Sequence, residues 1–186
     1  MRRHRARWRK HMRKSLEWLY TGAGVLAGVF LILIAALSLA QIGGRLLGFD
    51  AYSFDDFAGF CMAASSFLGL AHTYRRSEHI RVTIAVDRLH GRARLTAETL
   101  CLAASAFLIG FFAWYALDMV IISYQINDVS QGLVAVPLWW PQSGMALGLI
   151  IMFVALLDDL VVLLRRGTPS YMVAEQEKKI AMSENI

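Results

Sequence analysis

"LYTGAGVLAGVFLILIAALSLAQI", residues 19–42, decides the fold class. It holds 24 residues and no charge. A bilayer core about 30 Å thick needs roughly 20 helical residues to cross it. Working outward, three further apolar runs appear: "FAGFCMAASSFLGLAHTY" at 57–74, a stretch at 97–124, and "PQSGMALGLIIMFVALLDDLVVLL" at 141–164. Only helices and closed barrels satisfy the backbone in lipid, and barrel strands are short and alternating. The sequence therefore predicts an all-α integral membrane protein with four transmembrane helices. The composition agrees: 57% of the residues are hydrophobic and only 18% charged, too few charges to cover a water-soluble domain.

The expected division is a basic segment at 1–17, helix 1 at 18–42, a loop at 43–53 and helix 2 at 54–74. A basic arm follows at 75–94, then helix 3 at 95–124, a loop at 125–140, helix 4 at 141–164 and a tail at 165–186. The first run is too long for the apolar region of a cleaved signal peptide, so it is expected to stay as an anchor.

Orientation follows from Lys and Arg. Eight of the 19 precede helix 1, one (Arg45) lies in the first loop and six lie in the arm. The second loop has none, and the tail has four. Both termini and the arm are thus expected in the cytoplasm, and both loops outside. The net charge of +5 then reflects orientation and contact with anionic lipid rather than nucleic acid. Trp8 and Met12 share a helix face, which suits a start lying along the membrane surface.

Ionisable groups inside a membrane are functional candidates by default. Asp55 and Asp56 follow Ser53, a good N-cap, and complement the dipole at the start of helix 2. Glu98 is expected to do the same in the first turn of helix 3. Asp118 falls near the outer face, where solvation or a partner contact suits it better than proton transfer. Asp158 and Asp159 fit a solvated or ion-paired helix end, or a contact with another subunit's cations. His72 is the only histidine expected within a span; a b-type haem would want histidines on facing helices. Cys61 and Cys101 fall in opposite leaflets and read as packing residues. No metal-ligand spacing, phosphate loop or nucleophile motif appears, so no cofactor and no enzyme activity are expected. Gly24 and Gly28 form a GxxxG pair expected to pack helix 1 closely on a neighbour.

Two connecting segments carry the rest. In "RRSEHIRVTIAVDRLHGRAR", residues 75–94, a helix would put Val82, Ala85, Val86 and Leu89 on one face and Ile80 and Ile84 on a narrower one. A strand would alternate Ile80, Val82, Ile84 and Val86 with polar residues. A lone strand would leave its backbone unpaired, which favours an amphipathic in-plane arm helix touching both lipid and protein. An ordinary linker hairpin is the alternative. In "QINDVSQGLVAVPLWWPQ", residues 125–142, Trp139 and Trp140 fit an aromatic belt. Pro137 stiffens the approach to helix 4, and Pro141 suits its first turn. Asn127, Asp128 and Ser130 read as outward-facing, available to water or to a periplasmic partner.

"EHIRV" at 78–82, then Asp87, with "VPLWWPQ" at 136–142 on a four-helix frame, resembles the small, DctQ-like membrane subunit of TRAP (tripartite ATP-independent periplasmic) transporters. The resemblance spans about residues 15–165. Ser77 stands where many relatives have Gly, and Thr83 where many have an acid, so contacts of the arm are the least transferable part. The resemblance implies a scaffold subunit in the bacterial inner membrane. It would brace a large, sodium-coupled, elevator-type permease subunit and help receive a periplasmic binding protein loaded with an organic anion such as a carboxylate. It assigns Glu78, His79, Ile80, Arg81, Val82 and Asp87 to the subunit interface. Asn127, Asp128, Ser130, Pro137, Trp139 and Trp140 fall to the periplasmic face. Two other classes stay open: a stand-alone small transporter built on His72 and Asp118, and a membrane anchor for a redox enzyme.

Overall fold

A computed structural model describes residues 2–48, 53–76, 92–132, 134–165, 169, 172–173 and 180. Its helices are α1 (Arg2–Leu47), α2 (Ser53–Arg75), α3 (Arg92–Gln125) and α4 (Trp139–Leu164). The other described residues are turns and loop, apart from helical positions at 172–173 and 180 and one isolated bridge between Val129 and Pro137. Among the described residues three helical stretches are long and apolar enough to cross a membrane: Leu16–Leu47, Ala93–Gln125 and Trp139–Leu164. α2 is not among them; Asp55 and Asp56 at its start and His72 and Arg75 at its end dilute its apolar middle.

Several boundaries differ from the sequence reading: α1 runs on to Leu47 rather than 42, which takes Arg45 out of the loop, and α4 opens at Trp139 rather than 141. α1 runs without interruption from Arg2, so the basic start is continuous with the apolar span rather than a separate in-plane piece. α3 opens at Arg92, which moves Glu98 from the first turn to the second. There Glu98 accepts a hydrogen bond from Arg94 Nε at 3.0 Å, an i,i+4 ion pair, instead of capping the helix.

The helices form an open row. α1 packs on α2, α2 on α4, and α4 on α3, while α1 touches α4 only slightly. The starts of α1 and α3 share one end with the finishes of α2 and α4, called the basic end here. The α3–α4 loop and the start of α2 meet at the other, the tryptophan end. One core, built on Tyr20, Ala23, Ala27, Leu68, Ala71 and Leu156, runs through α1, α2 and α4 and reaches Leu102 and Ala106 of α3. A second, smaller one joins Ala113 and Ala116 of α3 to Ala146 and Leu149 of α4. Part of the tail returns to the first core: Pro169 is fully buried and Met172 packs against it.

Each contact in the row is set by glycine. A Cβ on Gly24 of α1 would lie 2.6 Å from His72 Cγ of α2. On Gly110 of α3 it would lie 2.7 Å from the Phe153 ring of α4. On Gly148 of α4 it would meet the α2 backbone itself, 2.5 Å from Phe67 O and 2.8 Å from Leu68 N. Gly144, one turn earlier, faces Ala64. Lipid tails are as apolar as the side chains, so helices associate through close packing, which small residues permit.

Gly28 does not take part, having nothing within 4 Å of the Cβ position. The α1–α2 seam therefore uses Gly24 with Ala23 and Ala27, and Ser65 Oγ donates to Ala27 O across it at 2.9 Å. Gly24→Leu is expected to lower the melting temperature of the detergent-purified protein by several degrees. Gly28→Leu is expected to leave it within about one degree. Equal effects of the two would contradict this assignment of the seam.

Candidate functional site

The described residues concentrate their polar contacts at the two ends of the row. At the basic end three helices meet. Arg75 closes α2, and its Nη2 lies 3.7 Å from Asp158 Oδ2 of α4. Its guanidinium stacks 4.5 Å from the ring centroid of Tyr20 on α1. Arg75 and Asp158 are 18% and 24% exposed, shielded enough for the pair to count for more than a surface salt bridge. Beside them Asp159 is 1% exposed. The Tyr20 hydroxyl and Arg75 Nη1 are buried without a hydrogen-bond partner among the described residues. A guanidinium placed between a carboxylate and an aromatic face ties α1, α2 and α4 together at one level.

Arg75 is a residue the sequence reading counted only as an orientation charge. Asp158 takes its ion pair within the chain, and Asp159 is buried rather than solvated. The arm leaves from this knot, since α2 ends at Arg75. The arm residues Glu78, His79, Ile80, Arg81, Val82 and Asp87 lie outside the described residues.

At the tryptophan end the loop is closed by its own backbone. α3 stops at a left-handed residue, Asn127, with φ 52°. Asp128 N donates to Ser123 O at 2.9 Å and Asn127 N to Tyr124 O at 3.4 Å, the paired bonds of a Schellman end. Asn is the residue besides Gly that best tolerates this conformation. The chain then doubles back: Ser130 N donates to Val136 O at 2.8 Å and Leu138 N to Asp128 O at 3.0 Å. The Ser130 hydroxyl donates to Val134 O and accepts from Val136 N, each at 3.1 Å. Asn127 is exposed, while Asp128 and Ser130 are half-buried, so Ser130 is a loop-closing residue rather than a free outward group.

Pro137 sits at the bridge to Val129 and opens the way to α4. Its carbonyl accepts from Trp140 N at 3.2 Å. Pro141 falls in the first turn of α4, where no helical partner is lost. Trp139 packs edge-on to Tyr124 at 5.7 Å and to Trp140 at 5.8 Å, a three-ring cluster with Tyr124 and Trp140 both exposed. Asp56 of α2 presses its carboxylate against Gly132, where a side chain would not fit. That contact holds the loop on the start of α2.

The interior between these ends is apolar apart from Ser65 and Ser123 among its fully buried residues. His72 stands against Gly24 in the α1–α2 contact, and Asp118 is exposed on α3, so the two are not brought together. Cys61 is half-buried and Cys101 exposed. Among the described residues no group of three or more His, Cys, Asp or Glu is placed to hold a metal.

The family described as "Tripartite ATP-independent periplasmic transporters, DctQ component" matches residues 34–166. The chain belongs to the DctQ family. The match covers most of the chain, from within α1 to the end of α4, and takes in the tryptophan end and, at the basic end, Arg75, Asp158 and Asp159 but not Tyr20. Among curated proteins no relative matches the chain. DctQ proteins are components of a transporter, not a family of enzymes, and the apolar helices described above agree with a membrane protein. The sequence segments that carried the DctQ resemblance, 78–82 and 136–142, both fall inside the matched range. What reading the sequence missed in this DctQ chain is the glycine pair of α4. "GMALG", residues 144–148, has the same GxxxG spacing as Gly24 and Gly28, and here both glycines are in use.

Proposed function

We propose that this DctQ chain is the small scaffold subunit of a sodium-coupled secondary transporter of the TRAP type. It sits in the bacterial inner membrane with four spans and both termini in the cytoplasm. The cargo is an organic anion, a carboxylate, delivered by a periplasmic binding protein. The large permease subunit carries out transport, and this chain braces it and helps dock the binding protein at the tryptophan end.

The observation that carries the reading is the open row. Among the described residues four helices lie side by side and enclose no polar path, and the outer flanks of α1 and, apart from Asp118, of α3 are long and apolar. Such a shape enlarges a fixed neighbour and does not itself move an ion. Asn127, Asp128, Pro137, Trp139 and Trp140 form the face offered to the binding protein. The arm, with Glu78, His79, Ile80, Arg81, Val82 and Asp87, is assigned to the permease.

The test is affinity purification of the tagged chain from its native membrane, with mass spectrometry of what stays bound. A co-purifying permease of roughly a dozen helices is expected. Isolation of a lone monodisperse chain would sink the proposal. In the same assay Glu78→Ala combined with Arg81→Ala is expected to cut permease recovery roughly tenfold, about 1.4 kcal/mol of assembly energy, while expression stays within about twofold. Undiminished recovery would remove the arm from the interface.

A further inference from the structure

One carboxylate of α3 is out of place for a helix side that faces lipid. α3 meets the rest of the protein along Leu102, Ala106, Ala113, Ala116 and Ser123, all buried. At 3.6 residues per turn, the opposite side carries Phe107, Phe111, Trp114 and Asp118. All four are exposed, Trp114 at 71%. The rings of Phe107, Phe111 and Tyr115 follow one another along this side, with centroids 6.5 and 4.7 Å apart.

The depth of Asp118 follows from the aromatic cluster. Tyr124, Trp139 and Trp140 mark the interface level, because amphipathic rings settle there. Asp118 precedes Tyr124 by six residues, which is about 9 Å deeper along the helix. An aspartate side chain is too short to reach back to water over that distance, as a lysine or arginine would. Lipid offers it no donor, and an exposed charge in hydrocarbon is costly. Among the described residues no helix covers that side, and Arg45 lies on α1, at the far edge of the row.

We infer that this side of α3 is a docking surface for a transmembrane helix of another chain, one that presents a lysine or arginine opposite Asp118. On the proposed function, on which this inference rests, that helix belongs to the large permease subunit. The exposed rings of Phe111 and Trp114 supply the packing area, and the ion pair fixes depth and rotation. A second copy of this chain fits poorly. A two-fold contact on this side would bring Asp118 towards its own equivalent, with no cation between them.

The test uses the full chain in its native membrane with a photoreactive benzoylphenylalanine in place of Trp114. The expected result is an adduct with the permease, mapped to a helix bearing Lys or Arg. Asp118→Leu is expected to lower that adduct about tenfold, and Asp118→Glu to keep more than about half of it. Adducts with lipid alone, adducts with a second copy, or an Asp118→Leu adduct of undiminished yield would overturn the inference. The Trp114 probe with Asp118 intact does not depend on how well the variants fold. If the tagged wild type recovers the permease but the Trp114 probe does not reach it, this inference alone fails. If the wild type recovers no permease, the proposed function fails as well.

Discussion

Gly148→Val is expected to part α2 from α4 and to have the largest effect of any single substitution in the core. The reason is that the obstacle is backbone. At Gly24 or Gly110 a new methyl would meet a ring that swings aside, but at Gly148 it would meet the Phe67 carbonyl and the Leu68 amide of a helix. A helix backbone yields only by translating as a unit, so the two helices must separate by an ångström or more along their contact. Overpacking of this kind costs roughly 3 kcal/mol, and here it is not repaired by rotamer change. The contact also joins the two cores, so loosening it exposes Leu68, Ile151 and Met152 together. Thermal unfolding in detergent is expected to show a loss of about ten degrees. Cysteines placed at Ala64 and Gly144, which face each other across the seam, should lose their disulfide yield in the variant. Retention of both the melting temperature and that disulfide would place the α2–α4 seam elsewhere.

Arg75→Met is expected to be the second most damaging change, for an electrostatic reason. It keeps most of the side-chain volume but leaves Asp158, next to the buried Asp159, without the cation it pairs with. Removing one partner of a shielded pair costs more than the pair contributes, because the remaining charge keeps its desolvation penalty. The Tyr20 ring loses its cation as well. Because the pair is partly exposed and 3.7 Å apart, about 2 kcal/mol is the expected loss, below the range for fully buried pairs. Adding Asp158→Leu should restore roughly half of it. A double-mutant cycle on thermal stability measures this, and strictly additive losses would mean that Arg75 and Asp158 do not interact.

How much of this was legible in the sequence depended on the physics involved. The helices of residues 19–42, 97–124 and 141–164 were readable because crossing lipid demands length and apolarity, both one-dimensional properties. Their neighbours were not. A soluble helix shows which side is buried by its polar side, but Phe107 and Leu102 on α3 look alike in sequence although one is exposed and the other buried. Glycine spacing is the signal that survives in lipid; it marked Gly24 and Gly28 alike without saying that Gly24 meets α2 while Gly28 has nothing of this chain within 4 Å of its Cβ position. Arg75 was unreadable as a tie because its partners, Tyr20 and Asp158, are brought to it only by the folded row. The loop was half readable. "NDVS" at 127–130 was plainly polar, but polarity does not tell an Asn that ends a helix or a Ser that closes a loop from groups offered to a partner.

The place of α2 in the row bears on how the protein is made. It is the helix with the weakest claim to hydrocarbon, and it is flanked on both sides, by α1 and by α4. In the proposed four-span topology α2 emerges from the ribosome after α1 but long before α4. Its stay in the bilayer is then provisional, shielded first by the Gly24 seam and made permanent only when Gly148 docks. A chain stalled before residue 139 would hold a half-sheltered helix that the quality-control proteases of the membrane can extract, so synthesis of the last helix is the step that commits the subunit to survive.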